Sequence, residues 1–121
     1  MKLEDQVVSL ELAKELEALG VKQESAFYWY FDVVDGDPVI PERYFLHDNK
    51  DGGFNFVCSA FTVGEIGEML PVGYHSGKSG VGKPWICKSR RKSEVFEVSD
   101  TEADARAKML INLIKTGVVT T

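Results

Sequence analysis

Five aromatic side chains in succession, Phe27-Tyr28-Trp29-Tyr30-Phe31 within AFYWYFDVV (residues 26–34), constrain this chain more than any other feature. Aromatic rings pack best on a pleated, half-buried surface, so the run predicts a strand. Strand alternation puts Phe27, Trp29, Phe31 and Val33 on one face and Tyr28, Tyr30 and Asp32 on the other. The first face reads as core. The second is amphipathic, and only partial cover is expected for it.

The segments around this strand carry their own local signals. Leu12, Leu16 and Leu19 recur at helical spacing, with Ser9 as N-cap, Gly20 as left-handed stop and Val21 folding back on the last turn. Asp35-Gly36-Asp37-Pro38 and Asn49-Lys50-Asp51-Gly52-Gly53 read as turns. They bracket a second strand over residues 43–47, and FNFVC follows as a third. Thr62 and Glu65 fit a capping box, with Phe61 and Ile66 as the matching staple, so a short helix is predicted before Pro71. Gly64 and Gly67 weaken that helix by about 1 kcal/mol each relative to alanine. Their spacing predicts close approach of another segment on one face. PWICK and EVFEVS are the next strands, joined by a hairpin at SRRKS. A last helix runs from about Thr101 to Lys115, with Ser99 and Glu102 as its capping box and Gly117 as its stop. Its stripe Ala103, Ala107, Leu110 and Ile114 is expected to lie on the sheet. Met109, Ile111 and Leu113 make its second half apolar nearly all round. That half is either deeply buried or contacts a second copy of the chain.

Short connections between strands predict an α+β fold. The expected architecture is a single domain over residues 1–121, with an antiparallel sheet, N- and C-terminal helices and a short middle helix packed on it. A chain of 121 residues suits one domain and buries roughly two-thirds of its unfolded surface. MKLEDQVVSL carries Glu4 and Asp5, which interrupt any apolar run, so neither a secretory signal nor a membrane span is expected and a cytoplasmic protein is the default. Cys58 and Cys87 lie in separate strand-like runs and read as reduced core thiols.

The candidate chemistry is sparse. GKSGVGK (residues 77–83) matches the spacing of a phosphate-binding loop, but Pro84 stands where a magnesium-binding Ser or Thr is needed, and a strand follows where a helix should begin. It reads as a flexible Gly/Ser loop that binds no nucleotide. His47 and His75 are the only histidines, and no nucleophile motif accompanies them. No catalytic residue, cofactor or metal ligand is assigned. The charge distribution says more. The net charge is −5, yet no acid occurs between Glu68 and Glu94, where Lys78, Lys83, Lys88, Arg90, Arg91 and Lys92 cluster. Lys88, Arg90, Arg91 and Lys92, with Trp85 and Tyr74 close in sequence, form the candidate partner-binding set: charges for phosphate, rings for stacking. The alternative is that these bases blunt a sheet edge or pair with acids elsewhere.

Three stretches, LEDQVVSLELAKELEALGVKQESAFYWY, SAFTVGEIGEMLP and EADARAKMLINLIKTG, together resemble a group of small proteins encoded in bacteriophages and prophages. The resemblance covers about half of the chain. It implies a phage or mobile-element origin and a bacterial cytoplasm, and it carries over no activity, cofactor or catalytic residue. The expected function is a small non-enzymatic interaction module with a protein partner. Tyr28, Tyr30, Tyr44, Tyr74 and Trp85 are its candidate surface aromatics. Binding of single-stranded nucleic acid or another anionic partner through residues 78–92 is the alternative, and a small enzyme the third reading.

Overall fold

The computed structural model describes residues 2–31, 44–48, 56–92 and 94–121. In chain order the elements are α1 (Leu3–Gln6), α2 (Leu10–Ala18), β1 (Phe27–Phe31), β2 (Tyr44–His47), β3 (Phe56–Ala60), α3 (Val63–Met69), β4 (Tyr74–Lys78), β5 (Trp85–Ser89), β6 (Phe96–Ser99) and α4 (Glu102–Lys115). The fold is α+β and every strand pairing is antiparallel. The strands divide into two three-stranded sheets, ordered β2-β1-β3 and β4-β5-β6. The proposed turns at residues 35–38 and 49–53, and the side chains of Asp32, Val33 and Tyr44, lie outside the described residues.

Helix α4 joins the two halves. It packs on the β4-β5-β6 sheet on one side and against α1, α2 and α3 on the other, while α2 also packs on β3. Ala103, Ala105, Ala107, Met109, Leu110, Ile111 and Leu113 are all buried, and one hydrophobic cluster includes Trp29 and Cys58 from the first sheet and Cys87 from the second. Leu110 and Ile114 line a cavity with Val21, Met69 and Val119. That half of the expected stripe therefore turns toward the helices and not toward a sheet. Met109 and Leu113 are covered within the chain itself, so the exposed half-helix that would have invited a second subunit is not present.

Local sequence rules account for most helix ends. Gly20 has φ +90°, the Gly20 N–H donates to the Glu17 carbonyl, and the Val21 N–H donates to that of Leu16. Gly117 (φ +81°) closes α4 by the same double bond, through Ile114 and Leu113. A residue with a Cβ resists this conformation, which is why glycine stands at both stops. The capping box of α3 is complete: the Glu65 N–H donates to Thr62 Oγ1 at 3.2 Å, and the Thr62 N–H donates to Glu65 Oε1 at 2.8 Å. Two caps differ from expectation. Ser9 sits at the N-cap of α2, but its side chain makes no cap bond, and its N–H donates to Asp104 Oδ1 at 2.7 Å, tying α2 to the start of α4. The N-cap of α4 is Thr101, which accepts from the Asp104 N–H; Ser99 is still in β6, paired with Trp85.

Trp29 on one face of the aromatic run and Tyr28 and Tyr30 on the other are buried, and Phe27 is half-buried. Trp29 donates its indole N–H to the Val8 carbonyl at 3.0 Å, which pins the chain entering α2 across β1. Tyr28 and Tyr30 are only 7% and 3% exposed, so both rings of that face are covered. The register of β1 against β3 shifts between Trp29 and Tyr30, so that Phe56 pairs with Tyr30. Phe56 then meets both tyrosine rings edge-on, at 5.8 and 5.9 Å between centroids. A bulge of this kind re-aims side chains, and simple alternation cannot anticipate it.

Cys58 and Cys87 are free and fully buried. Burial pushes the Cys58 thiol from 9.0 up to about 12, with the nearby Glu17 charge adding to the rise. Burial likewise takes Cys87 to about 11, although Arg106 pulls the other way. Both thiols hold their protons more tightly in the fold than in the unfolded chain. Their contribution to stability is complete below pH 9.0 and is lost as pH rises through 11 to 12. Native protein should therefore resist thiol labelling at neutral pH. A Cys58→Ala, Cys87→Ala variant should lose less stability than the parent in alkaline urea titrations above pH 9.0. Rapid labelling without denaturant would contradict this placement.

Candidate interaction surface

The second sheet has one face against α4 and one toward solvent, and its registers define both. On the inner side Tyr74 lies beside Ser89, Ser76 beside Cys87 beside Glu97, and Lys78 beside Trp85 beside Ser99. On the outer side two rows cross the sheet. One is His75–Lys88–Phe96 and the other is Gly77–Ile86–Val98. Phe96 and Val98 remain 52% and 36% exposed, and Lys88 is exposed. Gly77 leaves open space where a side chain would stand. The result is a hollow of about 280 Å³ lined by His75, Gly77, Lys78, Ser79, Ile86 and Lys88. No acid belongs to either row.

The turn from β5 to β6 carries Arg90, Arg91 and Lys92, all exposed. Buried Ser89 builds it: its hydroxyl oxygen accepts from the Arg91 and Lys92 N–H groups, each at 3.2 Å. The Arg90 N–H donates to the Gly73 carbonyl at 2.7 Å, and the Val95 N–H to that of Lys92. The backbone N–H groups of Arg90, Arg91 and Lys92 are thus held while the three cationic side chains stand exposed. Among the described residues, no carboxylate forms an ion pair with Lys88, Arg90, Arg91 or Lys92.

The six residues singled out in the sequence are not all brought together. Lys88 lies on the outer face and the tip cations lie at the Lys88–Phe96 end of it. Tyr74 and Trp85 lie on the inner face and pack partly against the core. Trp85 is occupied locally by Lys78, whose Nζ sits 5.7 Å from its ring centroid. Tyr28 and Tyr30 are buried, which also removes them as surface aromatics. The exposed ring beside the cations is Phe96, which sequence reasoning missed. Its signal was alternation within EVFEVS, which sets Phe96 and Val98 on one face and Glu97 on the other.

GKSGVGK is the connection of a hairpin. Gly77 and Lys78 end β4, the Lys83 N–H closes a turn onto the Gly80 carbonyl, Gly82 has φ +77°, and β5 follows. No helix begins there to direct N–H groups at a phosphate.

A polar cluster lies where α3, β4 and α4 meet. Arg106 Nε donates to Ser76 Oγ at 2.7 Å and Nη1 to the Val63 carbonyl at 2.9 Å, while Nη2 lies 3.5 Å from Glu102 Oε2. The Ser76 hydroxyl donates to the same carboxylate oxygen at 2.5 Å. The Arg106 guanidinium occupies the space a Cβ on Gly67 would need, which identifies the segment that this glycine admits; Gly64 faces open space. Each polar group in the cluster has a partner, so its chemistry is that of a clamp between three elements. Among the described residues, no group of three or more His, Cys, Asp or Glu side chains is placed to hold a metal ion, and no helix is long and apolar enough to cross a membrane.

No family model, curated protein or solved structure matches the chain.

Proposed function

We propose that the chain is a small interaction module that engages an anionic partner through the outer face of the second sheet and the basic turn beside it. The observation that carries this reading is that neither outer row of the sheet holds an acid and the turn beside it carries three exposed bases against the single exposed Glu94, in a chain of net charge −5. Among the described residues, Lys88, Arg90, Arg91 and Lys92 form no ion pair with a carboxylate, and the Ser89 hydroxyl holds the Arg91 and Lys92 N–H groups. Charges left unneutralised on one face of an acidic protein attract an anion and steer its approach. Exposed Phe96 and Val98 add apolar contact where water is readily displaced. The resemblance of the sequence to phage and prophage proteins belongs to the same proposal and suggests a role in a bacterial cytoplasm.

The test is retention on immobilised polyglutamate and on immobilised heparin at low salt. The parent chain should be retained on at least one of them despite its net negative charge. The variant with Lys88, Arg90, Arg91 and Lys92 all replaced by alanine should elute near the void. Equal retention of the two proteins, or none of the parent on either column, would remove the surface from consideration.

A further inference from the structure

The chemistry of the outer face goes beyond charge. The row His75–Lys88–Phe96 sets a cation between two rings on adjacent strands. Phe96 is half-exposed, and the hollow above Gly77 opens beside His75 and Lys88. Strands lie about 4.8 Å apart and rise about 3.3 Å per residue, so the three strands present a footprint on the order of 200 Å². A stable protein–protein contact takes about 800 Å² per partner, so this face is too small to hold a folded protein by itself. It is the right size for two or three nucleotides, the number that a sheet with exposed rings stacks in single-stranded RNA recognition.

We propose that this face binds a short single strand of nucleic acid. A base stacks on Phe96, a second base enters the hollow over Gly77 beside His75, and Lys88 with Arg90, Arg91 and Lys92 holds the phosphates. Ring stacking is tolerant of sequence because every base has a flat face. A long duplex is disfavoured on two grounds. Its bases are not available for stacking, and its length would carry phosphates past the basic face onto an otherwise acidic protein. This inference rests on the reading of the surface as an anion-binding face and adds the class of partner.

Fluorescence anisotropy with labelled ten-nucleotide single strands of DNA and of RNA tests it, with a duplex of the same length and soluble polyglutamate as competitors. Binding should be saturable at low salt and stronger for a single strand than for the duplex; the two single-strand arms decide whether the sugar matters. With four phosphates neutralised, the logarithm of the affinity should fall against that of salt with a slope of about −3. Replacing Arg90, Arg91 and Lys92 by alanine should cut that slope to about −1. Phe96→Ala should weaken binding about ten-fold or more at an unchanged slope. Its thermal midpoint should stay close to that of the parent, because the ring is exposed. Gly77→Leu, which fills the hollow, should weaken binding without altering the slope.

Absence of binding to either single strand, with retention on polyglutamate preserved, would overturn the nucleic-acid inference and leave an acidic protein as the partner. Loss of both would overturn the surface as well. Preference for duplex, or indifference to Phe96→Ala, would also overturn the stacking proposal. So would light scattering that shows a dimer dissociated by Phe96→Ala, since a second copy would then cover the face.

Discussion

Replacing Phe61 by alanine should destabilise the fold by about 3–5 kcal/mol, a large part of the roughly 5–15 kcal/mol that holds a domain together. Phe61 heads the largest fully buried side chains, at the junction between β3 and α3. Its carbonyl accepts from the Val8 N–H at 2.8 Å, and Val7 bridges to Thr62 beside it. Phe61 and Ile66 also hold the two positions of a hydrophobic staple around the N-cap of α3, and both are fully buried in the same core cluster. Truncation therefore removes transfer free energy, opens a cavity among elements that are tied to one another, and loosens the cap of a helix that two glycines already weaken. In urea the midpoint should fall by about 1–5 M, given slopes of roughly 1–3 kcal/mol per M. Phe96→Ala is the control: the same substitution on the exposed sheet face should change stability by about 0.5 kcal/mol or less. A Phe61→Ala midpoint close to the parent's would mean that the β3–α3 junction carries little of the core.

Features decided within a few residues were legible in the sequence. The capping box of Thr62 and Glu65 and the glycine stops at Gly20 and Gly117 needed no tertiary information, because backbone geometry acts locally there, whereas the Ser9 and Ser99 caps gave way to tertiary contacts and pairing. Features decided by pairing were not legible. Strand β4, YHSGK, contains serine, glycine and lysine, which have little intrinsic preference for a strand. It forms because β5 offers a ladder, so a strand that was not assigned stands at Tyr74–Lys78 and runs into the loop read at residues 77–83. The same omission hid the candidate surface. Without β4 there is no His75–Lys88–Phe96 row, and proximity in sequence favours Tyr74 and Trp85, which pleating sends to the other face. The cations at 88–92 were legible because a run without acids needs no fold to be seen. The cover on Tyr28 and Tyr30 depends on a bulge, and sequence alternation carries no record of it.

Arg106 shows how a partly buried clamp can pass as an ordinary surface pair, and it gives the second large effect. In the sequence, Glu102 and Arg106 are an i,i+4 pair of the kind that adds a few tenths of a kcal/mol to a helix. In the fold, both side chains are about three-quarters covered, at 25% and 23% exposure, and the guanidinium binds three separate elements. Arg106→Ala leaves the Glu102 carboxylate without its counterion and Ser76 without a donor. It should cost about 2–3 kcal/mol, read as a fall in urea midpoint. The glycine beneath gives a sharper test than that loss alone. In the parent, Gly67→Ala gains about 1 kcal/mol of helix propensity, but its Cβ must push the guanidinium off the Val63 carbonyl, so the net change should be destabilising. With Arg106 already replaced by alanine, the same Gly67→Ala should stabilise by about 1 kcal/mol. Gly64→Ala, facing open space, should stabilise by a similar amount in both backgrounds. The coupling between positions 67 and 106 then equals the difference between two effects of opposite sign, and a double-mutant cycle measures it directly. If Gly67→Ala has the same effect with and without Arg106, the guanidinium does not hold α3 against α4, and the glycine needs another explanation.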